Sequence, residues 1–322
     1  MRYISREFNS VSEENGIITK RGRPNKIALE RQWIESFRIN FPDINLVPNI
    51  IRFDNESYSY PKINGRTLTS IFRKEEYDSL KQRNIILKIL NEVKSYQTLK
   101  DHNKRIKEFA INVYINNLNK RLSNWDNFEM INQKRIKVNS IELPSFYEIR
   151  EKIYRMIEKY LISRIDDYWG VMHGDLNFTN ILVYKDSIYF IDPRGSFGNI
   201  HSLFGDIRYD LGKLRQCYEG NYDLIVSKDV NIKSVGNTLS FEFINSLKKQ
   251  KIKNLDKILD SFASRKEYKL IEAIQFFSMI PLHNDDEKAQ IYFFSKAMFL
   301  MAELIGDDYT QENSIEKVDI EF

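Results

Sequence analysis

The spacing of apolar and polar positions changes several times along the chain, and each change marks an element. Tyr3 to Val11 and Gly16 to Lys20 read as strands about Glu13-Glu14-Asn15-Gly16, where Asn-Gly favours a tight hairpin turn. From Asn25 to Arg38 the spacing becomes helical, with Ile27, Trp33, Ile34 and Phe37 on one face. Glu30 falls inside that stripe, because 27, 30, 34 and 37 follow the i, i+3, i+7, i+10 rule. A carboxylate on a core-facing stripe is costly unless it is paired. Ser57 to Ile63 reads again as a strand, ending in Asn64-Gly65-Arg66-Thr67-Leu68, a hairpin end followed by a Thr-capped helix.

Beyond Thr69 the pattern predicts a mostly helical chain. Ile85 to Leu99 and Phe109 to Leu122 are amphipathic, Trp125 to Ser140 is polar, and Ser145 with Glu148 spells a capping box. The helix so started runs towards Tyr168. After Gly195 the run S-F-G-N-I-H-S-L-F-G-D-I-R reads as loop, and Asp210 stands before the helical stripe Leu211, Leu214, Tyr218 as a candidate cap. Residues 221 to 305 read as a second helical group that includes Leu270 to Phe277 and Gln290 to Leu304. His283, Asp285, Asp286 and Glu287 occupy the turn between those two stretches, either as an acidic helix start or as substrate contacts. The tail after Gly306 is polar and is expected to fray.

Composition narrows the class. The 322 residues suffice for one large two-lobed unit or two modest domains, and at this size no covalent staple is needed. The single cysteine, Cys217, excludes a disulfide framework and a multi-cysteine zinc site within the chain, and the four histidines show no ligand spacing. With 49 Lys and Arg against 45 Asp and Glu, the charge is nearly balanced. Basic runs such as Lys248 to Lys253 read as solvated faces, and no nucleic-acid partner is expected. The N-terminus lacks a signal-peptide core, and the apolar stretch Tyr292 to Ile305 is broken by Ser295, Lys296 and Glu303. A cytoplasmic protein with no membrane span is the expectation.

The candidate chemistry is concentrated in V-M-H-G-D-L-N-F-T-N-I-L-V-Y-K-D-S-I-Y-F-I-D-P-R-G, residues 171 to 195. Ile181 to Tyr184 and Ile188 to Ile191 are short β-prone runs joined by Lys185-Asp186-Ser187. Pairing them antiparallel about Asp186 sets Asn180 opposite Asp192, about 4.5–5.5 Å apart at Cα unless a bulge shifts the register. An amide oxygen and a carboxylate at the mouth of a hairpin, fed by a loop that carries Asp175, make a hard-oxygen site suited to Mg²⁺.

H-G-D-L-N-F-T-N followed by I-D-P resembles the catalytic loop and metal-binding turn of the protein-kinase-like fold. The H-G-D spelling is similar to the aminoglycoside phosphotransferase and choline kinase group. The I-D-P-R-G ending with G-D-I-R-Y-D-L looks like phosphotransferases of bacterial capsule and surface-polysaccharide clusters. The resemblance implies an α+β, two-lobed fold: a small β-rich nucleotide-binding lobe over residues 1–64 with one main helix, a larger helical catalytic and acceptor-binding lobe over 65–306, and a polar tail over 307–322. It implies ATP or GTP with Mg²⁺, and a hydroxyl of a sugar, polyol or amino alcohol as acceptor. Gly174 stands where protein kinases usually carry Arg, which argues against control by loop phosphorylation.

Carried over residue by residue, the resemblance makes Asp175 the group that takes or aligns the acceptor proton, and Asn180 and Asp192 the metal ligands. Lys20 would grip the α/β-phosphates with Glu30 as its partner, although Lys26 and Lys62 are rivals and Glu30 could instead sit unpaired at the lobe edge. The phosphate-covering loop is expected at Asn9 to Ser12, with Ser10 and Ser12 as contacts, and it lacks the G-x-G-x-x-G of protein kinases. His173 and Asp210 would support the loop, with Asp206 and Arg208 as lesser members. Arg194 either neutralises a phosphate or forms the turn. A pseudokinase, binding nucleotide without transfer, is the alternative from another class.

Overall fold

The computed structural model describes residues 9–73, 78–97, 99, 105–126, 134–138, 141–197, 200–235, 238–243 and 255–318. Contacts divide the chain into two compact units. The first comprises Met1–Lys104, Trp169–Asp210 and Lys249–Leu255; the second comprises Arg105–Tyr168, Leu211–Lys248 and Asp256–Phe322.

The first unit opens with strands β1 (Asn9–Glu14) and β2 (Ile17–Gly22), joined by Asn15 and Gly16 at φ 50° and 75°. Two successive left-handed residues are what a type I′ hairpin turn demands. Of the first strand expected from the sequence, Tyr3 to Phe8 lie outside the described residues. The sheet order is β1-β2-β4-β3, with β3 at Arg52–Phe53 and β4 at Ser57–Pro61. Helix α1 (Pro24–Asn40) starts on a proline that has no amide to lose, and it buries Ile27, Glu30, Trp33, Ile34 and Phe37. Ile34 and Phe37 are fully buried, and each such side chain contributes about 1.5–3 kcal/mol. A short strand β5 (Arg66–Thr67) leads into α2 (Leu68–Arg73), where the Thr67 hydroxyl accepts from the amide of Ser70. Helix α3 (Ser79–Ser95) begins on Asp78, whose carboxylate accepts from the Lys81 amide.

The same unit contains β6 (Trp169–Val171), β7 (Ile181–Tyr184) and β8 (Ser187–Phe190). Strand β7 pairs with both β8 and β5. The run after Gly195, expected to be loop, forms two small antiparallel ladders. Ser196–Phe197 pairs with Ile200–His201, and Phe204–Asp206 pairs with β6.

The second unit is mainly helical. Its long helices include Phe146–Met156, which begins with the reciprocal Ser145–Glu148 capping box, Arg265–Met279, and Glu287–Val318. The last of these covers residues 307–318 of the stretch expected to fray, and residues 319–322 lie outside the described residues. Arg265–Met279 packs along Glu287–Val318 around Phe276, Phe277, Phe293 and Met298. The expectation of helix alone over 221 to 305 is corrected: Val230–Val235 and Thr238–Phe243 form a hairpin. That hairpin extends a sheet with Ile136–Val138 and Ile141–Leu143. V-N-I and L-S-F-E-F alternate with period two, the spacing of a half-buried strand. Among the described residues, no helix is long and apolar enough to cross a membrane.

Candidate active site

Lys20 and Glu30 meet in the first unit. On β2, Ile18 and Lys20 face inward, and on α1 the helical stripe turns Glu30 towards them. Lys20 Nζ lies 2.6 Å from Glu30 Oε2 and 2.8 Å from Asp192 Oδ1. Lys20 and Glu30 are 2% and 3% exposed, so the pair is shielded from water, whereas the Asp192 side chain is a third exposed. Burial disfavours the charge on Lys20, but the carboxylates of Asp192 and Glu30 outweigh it and hold the ammonium pKa above that of ordinary lysine. Burial raises the pKa of Glu30, and the Lys20 charge offsets that only in part. The rival lysines are the more exposed ones. Lys26 reaches the other Glu30 oxygen at 3.6 Å from a half-exposed position, and Lys62 pairs with Glu13 at 2.7 Å.

The loop between β6 and β7 is held by its own backbone. The amides of His173 and Gly174 donate to the two carboxylate oxygens of Asp210, each at 2.8 Å. Asp210 belongs to the first turn of helix Arg208–Tyr218. His173 is fully buried. Its Nδ1 accepts from the Asp175 amide at 3.3 Å and its Nε2 lies 3.0 Å from the Ile191 carbonyl oxygen, an arrangement of the neutral ring. Burial depresses its pKa to about 4, against the partial pull of Asp175. Gly174 adopts φ 78°, and a β-carbon there would stand 3.0 Å from Arg194 Cβ and from the Phe197 ring. Glycine therefore fits both the left-handed backbone and the close approach.

Asp175 and Asn180 are joined directly. Asn177 accepts from the amides of Thr179 and Asn180 and closes the short turn Phe178–Asn180. The Asn180 side-chain Nδ2 donates to the Asp175 main-chain oxygen at 2.9 Å and to its carboxylate at 3.1 Å.

The hairpin register differs by one residue from the expectation. Phe190 pairs with Ile181 and Ser187 with Tyr184, so the turn has two residues, Lys185 and Asp186, with Lys185 left-handed at φ 52°. Ile191, and not Asp192, therefore stands opposite Asn180, its amide donating to the Asn180 carbonyl at 3.0 Å. Asp192 follows at φ 58°. Among the described residues no three His, Cys, Asp or Glu side chains cluster as a metal site. One amide oxygen and one carboxylate fit Mg²⁺ all the same, because that ion typically takes one or two protein oxygens and fills its octahedron with phosphate and water.

The other expected residues fall as follows. The proposed phosphate loop is corrected: Asn9 to Ser12 is strand, with Ser10 opposite Arg21 and Ser12 opposite Thr19. Arg194 folds back, its Nε donating to the Ser196 carbonyl at 3.1 Å and its guanidinium lying 4.2 Å from the centre of the Phe197 ring. Asp206 and Arg208 form a wholly buried pair at 2.6 Å. In the second unit His283 is buried against Tyr222 and Phe293, Asp286 accepts from the Ala289 amide as a helix cap, and Asp285 is exposed. Two residues not singled out by sequence belong to this region: Trp33, which read as core, and Tyr58, whose hydroxyl reaches Glu30.

No family model and no curated protein matches this chain. Solved structures match its fold. The streptomycin–ATP ternary complex of the aminoglycoside phosphotransferase APH(2'')-IIa is similar with a TM-score of 0.52 at 12% sequence identity, over 91% of this chain and 89% of that one. A choline/ethanolamine kinase family protein from Mesorhizobium loti is similar with a TM-score of 0.50 at 11% identity, over 93% of this chain and 87% of that one. The chain has the α+β, protein-kinase-like fold of these proteins.

Proposed function

We propose that this protein is an ATP-dependent kinase of small molecules, transferring the γ-phosphoryl group to a hydroxyl of a sugar, polyol or amino alcohol. The observation that carries the reading is the convergence of Lys20 on Glu30 and Asp192, at 2.6 and 2.8 Å. A buried ammonium held between two carboxylates, one of them accessible, is suited to gripping nucleotide phosphates. Residues 1–64 form the nucleotide-binding lobe in this reading, and 65–306 the catalytic and acceptor-binding lobe.

Phosphoryl transfer needs positioning and neutralisation of charge more than covalent help. The acceptor oxygen bonds to the γ-phosphorus, the bond from that phosphorus to the β–γ bridging oxygen breaks, and ADP leaves. Asp175 receives or aligns the proton of the acceptor hydroxyl. Asn180 holds the Asp175 carboxylate in place at 3.1 Å. Lys20 orients the α- and β-phosphates, and its carboxylate partner keeps it from swinging away. Asn180 and Asp192 would hold Mg²⁺, which would supply positive charge to offset that of the phosphates. His173, neutral at physiological pH, orders the loop and leaves the base role to Asp175.

The test is transfer of label from γ-labelled ATP, and in parallel GTP, to a panel of sugars, polyols and amino alcohols, with Asp175→Asn as control. Labelled acceptor with wild type alone supports the reading. Nucleotide binding without transfer to any acceptor class would favour the pseudokinase alternative.

A further inference from the structure

Tyr58 joins the lysine–glutamate pair from a position set by strand register. It is the direct cross-strand partner of Lys20 in the β2–β4 ladder, so both side chains leave the sheet on the same face, and both strands meet α1. The side chain is 1% exposed and its ring stacks on Tyr60, with centroids 6.1 Å apart. Its hydroxyl lies 3.1 Å from Glu30 Oε2, the same oxygen that takes Lys20 Nζ at 2.6 Å. Burial, with Asp192 and Glu30 close by, raises the phenol pKa well above that of ordinary tyrosine, so the hydroxyl keeps its proton and donates.

Two donors on one carboxylate oxygen do different things. The lysine is a flexible four-carbon stem, and its ammonium is shared with Asp192. Any nucleotide that draws Lys20 away from Asp192 also pulls on Glu30, whose terminal torsion is soft. The phenol is rigid and anchored in a sheet. It fixes the Glu30 oxygen independently of where the ammonium points.

We propose that Tyr58 is a positioning residue for the nucleotide, holding the Glu30 carboxylate so that Lys20 stays anchored while its ammonium turns to the phosphates. The proposal rests on the kinase reading above and adds to it a residue that acts through Glu30, without itself touching the nucleotide.

The test is a double-mutant cycle on the full chain with Tyr58→Phe, Glu30→Gln and the double variant. Binding of Mg·ATP is measured by calorimetry, and the melting temperature is recorded alongside. Tyr58→Phe keeps the ring and removes only the hydroxyl. Loss of a hydrogen bond to a buried charged group is expected to weaken Mg·ATP binding roughly tenfold in the wild-type background. In the Glu30→Gln background the same change is expected to have little further effect, since the group it acts through has lost its charge. Wild-type affinity in Tyr58→Phe, or an equal loss in both backgrounds, would overturn the proposal and leave the kinase reading intact. A wild-type protein that does not bind Mg·ATP would instead overturn the kinase reading, and the positioning role with it.

Discussion

The indole Nε1 of Trp33 donates to the main-chain oxygen of Met172 at 3.0 Å, joining residues 139 positions apart in the sequence. Its ring also meets His173 edge-on, with centroids 5.6 Å apart. Trp33 lies one turn beyond Glu30 on α1, and Met172 immediately precedes the loop that carries Asp175. One helix therefore holds the carboxylate that pairs with Lys20 and also clamps that loop. Trp33→Phe is expected to destabilise the fold by about 1–3 kcal/mol, because it leaves a buried carbonyl without this donor. Transfer should fall with it. Urea unfolding checks the first effect and the labelled-ATP assay the second; unchanged values in both would show that the clamp is idle.

Gly195 allows the same helix to approach the turn after Asp192. A β-carbon at that position would lie 2.3 Å from the main-chain oxygen of Leu29, the residue before Glu30. Gly195→Ala should push α1 away and loosen the Lys20–Glu30–Asp192 cluster. Nucleotide affinity is expected to drop by roughly tenfold or more, in line with a loss of 1–3 kcal/mol from overpacking. Calorimetry with Mg·ATP measures it, and wild-type affinity would mean that the backbone adapts at no cost to the site.

Asp175→Asn keeps the shape of the side chain and removes its basicity. It is expected to lower transfer by roughly 10²–10⁴-fold while sparing nucleotide affinity. Retained turnover would remove Asp175 from the mechanism.

The buried His173 makes stability depend on pH in a defined direction. Its pKa falls from 6.5 to about 4 on folding, so between those values the unfolded chain binds more protons and stability is lost as pH falls. Between pH 7 and 5 the linkage amounts to about 2 kcal/mol. Wild type should therefore lose more stability over that interval than His173→Asn, as read by urea unfolding at each pH. Equal losses would show that the imidazole is solvated.

Much of this was legible locally. The Asn15-Gly16 turn follows from two letters, and Glu30 was marked by an acidic residue on an otherwise apolar helical stripe, where burial demands a partner. The hairpin register was not, because Lys185 adopts a left-handed conformation that its residue type does not announce, and one residue of turn length shifts the pairing of Asn180 from Asp192 to Ile191. The position of Tyr58 was hidden for a related reason. Its alternation with Tyr60 reveals a buried strand face, but only the β2–β4 register sets it opposite Lys20. The sheet of Ile136–Val138, Ile141–Leu143, Val230–Val235 and Thr238–Phe243 was missed because two of its strands have only three residues each and the alternation in the other two rests on a few apolar positions among polar neighbours.

The account turns on Asp192 as a metal ligand at a nucleotide site, and a thermal-shift titration of ATP with and without Mg²⁺, on wild type and Asp192→Ala, tests it most directly. Ligand at a hundred times its Kd stabilises by about 2.7 kcal/mol, enough to read as a shift. The expected result is a Mg²⁺-dependent rise in melting temperature with wild type that disappears in Asp192→Ala. A rise that ignores Mg²⁺, or one that survives the substitution unchanged, would contradict the metal assignment, and no rise with either protein would contradict the nucleotide site itself.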